Sequence, residues 1–168
     1  TAFDATKRGT IHDKGVVNHK ISATLFRYLE AAGIPTHFVE LLNDRDMLVK
    51  KVEIVPLEVT MRNTVAGGMA KLLGLAEGII LADPVYEYHY KKDELHDPLI
   101  NDYHVKALKL ASEDELDTIT ELSFKINDLL KSFFSERGLD LVDFKLEFGR
   151  SKEGILLADE ISPDTCRL

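Results

Sequence analysis

The sequence predicts an α+β fold in which a C-terminal β-hairpin packs on a long helix. Three observations carry that reading. Residues 112–138, SEDELDTITELSFKINDLLKSFFSERG, space Leu116, Ile119, Ser123, Ile126, Leu130 and Phe133 three and four apart, as one face of a helix requires. Residues 140–148 alternate instead, with Val142, Phe144, Leu146 and Phe148 on one face and Asp143, Lys145 and Glu147 on the other. A second apolar run, residues 154–161, follows after the turn sequence GRSKEG, so the two runs pair as a hairpin.

The remaining elements fit the same class. Ile21, Leu25, Leu29 and Ala32 form a helical stripe over residues 21–32, stopped by Gly33 and Pro35. Residues 47–62 are rich in β-branched residues, and Pro56 marks an edge or a hinge. AGGMAKLLG, residues 66–74, reads as a glycine turn into a short helix closed by Gly74. Tyr86–Tyr90 reads as a strand, and residues 91–105 as a polar loop of the kind that carries function. Ser112 and Glu115 stand at capping-box spacing before the long helix, and Gly138 is its stop.

The charged strand face admits two readings. Alternating charges often mark a wet face of a two-stranded ladder. The hairpin changes this: a turn near residues 151–152 brings Glu147 beside residues 157–159, so Glu147 and Asp159 share a face. Cross-strand neighbours lie ~5 Å apart, close enough for two carboxylates to hold one hard cation. Mg²⁺ suits one or two carboxylates completed by phosphate oxygens and water. Lys145, between them, is placed to neutralise a phosphate or to position a carboxylate substrate. Gly67 and Gly68 open a short helix where backbone N–H groups approach an anion, and Arg62 adds a bidentate grip.

Composition bounds the class of partner. With 21 basic and 29 acidic residues the net charge is −8, which argues against general nucleic-acid binding. No apolar run approaches the ~20 residues of a membrane span. Cys166 is the only cysteine, so no intrachain disulfide forms and a reducing, cytoplasmic setting is expected. Cys166 itself reads as a packing residue. The six histidines have no zinc-site spacing.

LVDFKLEFG and PLEVTMRNTVAGG resemble the two signature segments of the SAICAR synthetase (phosphoribosylaminoimidazole-succinocarboxamide synthase) family. The similarity continues through TAFDATKRGTI, DKGVVNHKIS, GIPTHFVE, HDPLIND and ADEISPDTCRL, essentially the whole chain in order. The resemblance implies a two-lobed fold with antiparallel sheets and an ATP cleft between the lobes. It implies an ATP- and Mg²⁺-dependent ligase that joins L-aspartate to carboxyaminoimidazole ribonucleotide through an acyl phosphate, in purine biosynthesis. It assigns Glu147 and Asp159 to Mg²⁺ and ATP, and Lys50, Val52 and Ile54 to the adenine-holding segment. Lys145 faces the phosphates and the reacting carboxylate, with Asp164 as a further catalytic position. Arg62, Gly67, Gly68 and Arg167 hold the ribonucleotide phosphate. Glu58, Lys91 and Asp97 lie near the imidazole or the aspartate. A homodimer with small-molecule substrates, and no nucleic-acid or membrane partner, is implied as well.

Residues 1–54 are then the remainder of a smaller N-terminal lobe and residues 55–168 a larger catalytic lobe. The family's hairpin over the ATP phosphates is expected upstream of Thr1, and its C-terminal helices beyond Leu168. Three residues depart from the family pattern: Gly68 stands for a serine, Ala5 for a glycine and His19 for an asparagine. Gly68 removes a hydroxyl donor to the phosphate and, with no phosphate hairpin in residues 1–168, favours one alternative, a non-catalytic nucleotide-binding module; a related carboxylate–amine ligase with another substrate pair is a second.

Overall fold

The computed structural model describes residues 9–168. Ala5 and the TAFDATKR segment lie outside the described residues. The order is α1 (Lys14–Ala31), β1 (Phe38–Leu41), β2 (Met47–Val49), β3 (Glu53–Thr64), α2 (Gly67–Leu73), β4 (Ile80–Tyr90), a 3₁₀ turn (Asp93–Leu95), β5 (Leu99–Ile100), α3 (Asp102–Leu108), α4 (Glu113–Ser135), β6 (Asp143–Ser151), β7 (Gly154–Ala158) and β8 (Cys166–Arg167). β1 and β2 form a small antiparallel sheet. The large sheet runs β5-β4-β3-β6-β7, with β8 pairing β6, and its ladders are all antiparallel.

The C-terminal hairpin forms as the alternation requires. Phe148 pairs with Leu157 and Glu147 with Ala158, around a turn between Ser151 and Gly154. Phe144, Leu146 and Phe148 are buried on its apolar face. They pack in one core with Ile119, Ile126 and Leu130 of α4, Phe26 and Leu29 of α1, and Val55, Leu57, Val59 and Met61 of β3. Each fully buried side chain of this size stabilises the fold by roughly 1.5–3 kcal/mol.

α4 starts as its cap predicts. Ser112 Oγ accepts the Glu115 N–H at 3.2 Å, and Glu115 Oε2 accepts the Ser112 N–H at 2.8 Å. The Arg150 guanidinium then grips both oxygens of the same carboxylate, at 2.6 and 3.0 Å, and so ties the helix start to β6. The buried side chain near the helix end is Phe134; Phe133 packs at the core's edge, its ring tilted against Tyr28.

Two boundaries differ from the periodicity. α1 begins at Lys14, a turn and more before the predicted residue 21, because residues 14–20 show no apolar stripe yet are held at one end by long-range contacts. Asp164 Oδ2 takes hydrogen bonds from Asn18 Nδ2 at 2.6 Å and Lys14 Nζ at 2.7 Å. Residues 91–105, read as a loop, contain the 3₁₀ turn, β5 and most of α3. The Asn101 side chain caps α3 by accepting the Tyr103 and His104 N–H groups, a local polar signal that apolar periodicity cannot register.

Candidate active site

β3 is the middle of the site. Its side chains alternate, so Glu58, Thr60 and Arg62 project from one face while Val55, Leu57, Val59 and Met61 enter the core. Pairing in register on both sides turns that face into three polar rows. Glu58 stands between His89 of β4 and Glu147 of β6; Thr60 between Glu87 and Lys145; Arg62 between Val85 and Asp143. Asp143 in turn pairs with Arg167 of β8. The charged face is therefore a wall, not a solvated ladder. It bounds a cavity of about 800 Å³ lined by Glu58, Thr60, Arg62, Gly68, His89, His96, Asp97, Asp143, Lys145 and Arg167.

One end of this cavity is cationic. Arg62 is buried, with its Nε–H donated to Glu87 at 2.8 Å and Nη1 to Asp143 at 2.9 Å. Those two carboxylates fix its plane, and its Nη2 lies 3.8 Å from where a side chain on Gly68 would begin. Arg167 Nη1 sits 3.4 Å from the same Asp143 oxygen. Burial pushes the Asp143 carboxyl up, and the two guanidiniums oppose that shift. Gly67 has φ 54°, and a Cβ there would meet Arg167 Nη2 at 2.8 Å. The left-handed backbone favours glycine, and a side chain here would have to push the Arg167 guanidinium aside. The Gly67 N–H is already donated to Glu77 Oε1 at 2.8 Å, so Gly68 is the member of the turn that faces the cavity.

The other end is a relay of alternating charge. Lys145 Nζ lies 2.6 Å from Glu58 Oε1, whereas Glu147 is paired with Lys91. The predicted position of Lys145 between Glu147 and Asp159 is thus shifted by one row, because Lys145 is level with Thr60 and leans toward its β3 neighbour. Burial pushes the Glu147 carboxyl up; Lys91 opposes this, and Asp159 and Glu58 add to it. For Lys91, burial pulls the ammonium down, but its pairing with Glu147 outweighs this and the net shift is upward. Burial also lowers His89, whose Nδ1 is 3.5 Å from Thr60 Oγ1.

The hairpin register sets Glu147 opposite Ala158, one residue before Asp159, and the Asp159 charge adds to the upward shift of Glu147. Asp159 is exposed and takes a left-handed backbone, φ 54°. Among the described residues no cluster of three or more acidic, His or Cys side chains forms a self-sufficient metal cage. Two neighbouring carboxylates nevertheless fit Mg²⁺, which takes one or two from protein and the rest from phosphates and water.

The other predicted positions divide. Asp97 lines the cavity and accepts the Lys92 N–H at 2.7 Å. Lys50 and Val52 lie on a separate surface groove with Lys51 and Arg150, and Lys50 Nζ reaches Glu153 at 3.0 Å. Val52 covers Gly149 of β6 so closely that a Cβ there would collide with it; Ile54 of β3 pairs with the same glycine. Asp164 does not line the cavity but anchors the start of α1. His19 Nε2 is 3.2 Å from the Asn43 carbonyl. Cys166 is half-buried and its thiol is pushed up to about 12 by burial, which suits packing rather than nucleophilic chemistry. Sequence reasoning missed Thr60, His89, His96 and Asp143 as cavity residues, and Glu87 as the partner of Arg62. The period-two alternation on either side of Arg62 and Lys145 would have found Thr60 and Asp143.

Two guanidiniums beside a glycine turn, with carboxylate–ammonium pairs along the same sheet face, make this an α+β protein with a charge-lined cavity. The comparisons narrow this. The profile of the SAICAR synthetase family matches residues 1–168. The phosphoribosylaminoimidazole-succinocarboxamide synthase of Caldanaerobacter subterraneus subsp. tengcongensis is 60% identical over 167 residues, 99% of this chain and 71% of that protein. SAICAR synthetase from Pyrococcus horikoshii superposes with a TM-score of 0.95 at 50% identity, over 99% of this chain and 73% of the other. A SAICAR synthetase solved in complex with ADP gives 0.96 and 50%, over 99% and 72%. The chain belongs to the SAICAR synthetase family, enzymes of purine biosynthesis.

Proposed function

We propose that this chain catalyses the ATP-dependent ligation of L-aspartate to carboxyaminoimidazole ribonucleotide, giving SAICAR, ADP and phosphate. The convergence of Arg62 and Arg167 on Asp143 at the cavity wall carries the reading, since it offers fixed donors to a phosphate monoester. Gly68 borders that seat and Gly67 shapes it. The imidazole then extends along the rows toward Thr60, Glu58 and Lys145, with Asp97 and Lys91 at the margin for the ring substituents or aspartate.

The substrate carboxylate takes the γ-phosphoryl group from ATP, and the aspartate amine then displaces phosphate from the acyl phosphate. Phosphoryl transfer is mainly positioning and electrostatic stabilisation. Lys145, released from Glu58, supplies a cation where the phosphoryl oxygens gather negative charge. Glu147 and Asp159 would hold Mg²⁺, which when bound neutralises nucleotide phosphate charge. Lys91 compensates Glu147 in the meantime. Lys50, Val52 and Ile54 border the adenine, between a smaller lobe (residues 1–54) and a larger one (residues 55–168). Asp164 acts by holding the start of α1 in place rather than by touching substrate. The enzyme is assigned to the cytoplasm as a homodimer; among the described residues no helix is long and apolar enough to cross a membrane.

The test is ADP release in the presence of ATP, Mg²⁺, the ribonucleotide and aspartate, with each co-substrate omitted in turn and the product weighed by mass spectrometry. The expected result is ADP formation that requires the ribonucleotide, and a product heavier by the aspartyl group. ADP release indifferent to the ribonucleotide overturns the assignment.

A further inference from the structure

The long helix α4 carries an asparagine, Asn127, that is fully buried on a face whose only other buried polar residue is Ser123. It meets Asn63 of β3 in a reciprocal amide pair: Asn63 Nδ2 donates to Asn127 Oδ1 at 2.9 Å, and Asn127 Nδ2 donates to Asn63 Oδ1 at 3.1 Å. Asn63 Nδ2 also reaches the Leu141 carbonyl at 3.2 Å. Asn63 follows Arg62 directly, so its side chain enters the core side of the sheet while Arg62 faces the cavity.

The backbone at this point is irregular. The N–H groups of Asn63 and Thr64 both go to one carbonyl, Val142, at 2.8 and 3.1 Å. On the other side the partner of β3 jumps from Val85 at Arg62 to Ile80 at Thr64. Such bulges re-aim the side chains beside them and need something to hold them. The amide pair does so from behind. Through Leu141 it also fixes the segment that enters β6 at Asp143, the carboxylate both arginines share.

We propose that Asn127 and Asn63 are positioning residues for the substrate-phosphate seat, a clamp between α4 and the bulge that sets the direction of Arg62 and the approach of Asp143. This rests on the proposed phosphate reading of that seat. A purely structural need would be met as well by two packed leucines, since replacing both partners of a buried polar pair by apolar groups costs little. Two amides add a fixed direction, because each must set its carbonyl oxygen against the other's N–H.

The experiment compares Asn127→Ser, the double substitution Asn63→Leu with Asn127→Leu, and Arg62→Ala. KM for the ribonucleotide, KM for ATP, kcat and Tm are measured for each. Partial unfolding lowers the concentration of active enzyme but leaves KM unchanged, so KM separates aim from stability even in a weakened variant. The clamp predicts a ribonucleotide KM raised at least about 10-fold in both asparagine variants, with ATP KM within about twofold of the parent. It predicts this in the leucine pair even where Tm recovers. A normal ribonucleotide KM in the asparagine variants, with a raised one in Arg62→Ala, overturns the clamp and leaves the phosphate seat standing. A normal KM in Arg62→Ala removes the seat, and the clamp with it.

Discussion

Arg62 and Arg167 converge on a single carboxylate oxygen, Asp143 Oδ2, at 2.9 and 3.4 Å. Asp143 is buried, so the pair of cations is what keeps its charge tolerable. Asp143→Ala is expected to free both guanidiniums and leave Arg62 held only by Glu87. Breaking a buried pair from one side costs about 3–5 kcal/mol. Thermal unfolding should show that loss, and the ribonucleotide KM should rise at least about 10-fold. A variant of unchanged KM shows that the arginines are aimed by something other than Asp143.

Glu147→Gln and Asp159→Asn test the metal assignment. Each is expected to keep the fold, since both carboxylates face away from the core. Calorimetry of Mg²⁺-ADP binding, against ADP alone, reads the site without turnover. The metal-dependent gain in affinity should shrink at least about 10-fold in each variant. A full gain in both assigns the metal elsewhere.

Lys145→Met keeps the stem and removes the charge. Stabilisation made mainly in the transition state lowers kcat rather than raising KM. The expected kcat loss is at least ~10²-fold, the lower end for deleting an oxyanion donor, with ATP KM nearly unchanged. Normal kcat with a large rise in KM makes Lys145 a binding group only; two normal values return it to a simple partner of Glu58.

The glycine turn gives two opposite predictions. Gly68 is outside the left-handed region, and a Cβ there meets nothing closer than Arg62 Nη2 at 3.8 Å. Gly68→Ser should therefore fold and tighten ribonucleotide binding by about 0.5–1.5 kcal/mol, one net hydrogen bond. Gly67→Ala should weaken it, because φ 54° and the Arg167 contact both oppose a side chain. The measurement is equilibrium titration with the ribonucleotide; a neutral Gly68→Ser means the added hydroxyl misses the phosphate.

Arg150 and the Ser112 cap hold Glu115 ionised; the Arg150 bonds contribute most to the downward shift of its pKa, and partial burial opposes it. A carboxyl with a depressed folded pKa stabilises the fold above its unfolded value, about 4.3, and loses that contribution as pH falls through the folded pKa. The stability difference between the parent and Glu115→Gln should be constant from pH 7 to 5 and shrink on further acidification. Denaturant titrations across that range check it. A difference independent of pH down to 2 assigns the effect to packing.

Much of this molecule is legible in the chain. The period-two alternation of residues 142–148, the capping box at Ser112 and Glu115, and the stop at Gly33 are local features, written in adjacent residues, and each appears where the pattern puts it. The hairpin register that sets Glu147 opposite Ala158, next to Asp159, is local as well, because one turn fixes it. What only the tertiary structure decided is which strands flank β3. With β4 on one side and β6 on the other, a face that alone reads as a solvated ladder becomes the wall of a cavity. It also chose the partners of the charges, giving Glu58 to Lys145 and Glu147 to Lys91. Those pairings join residues more than fifty positions apart. Local periodicity sets which way a side chain points; chain topology sets what it meets there.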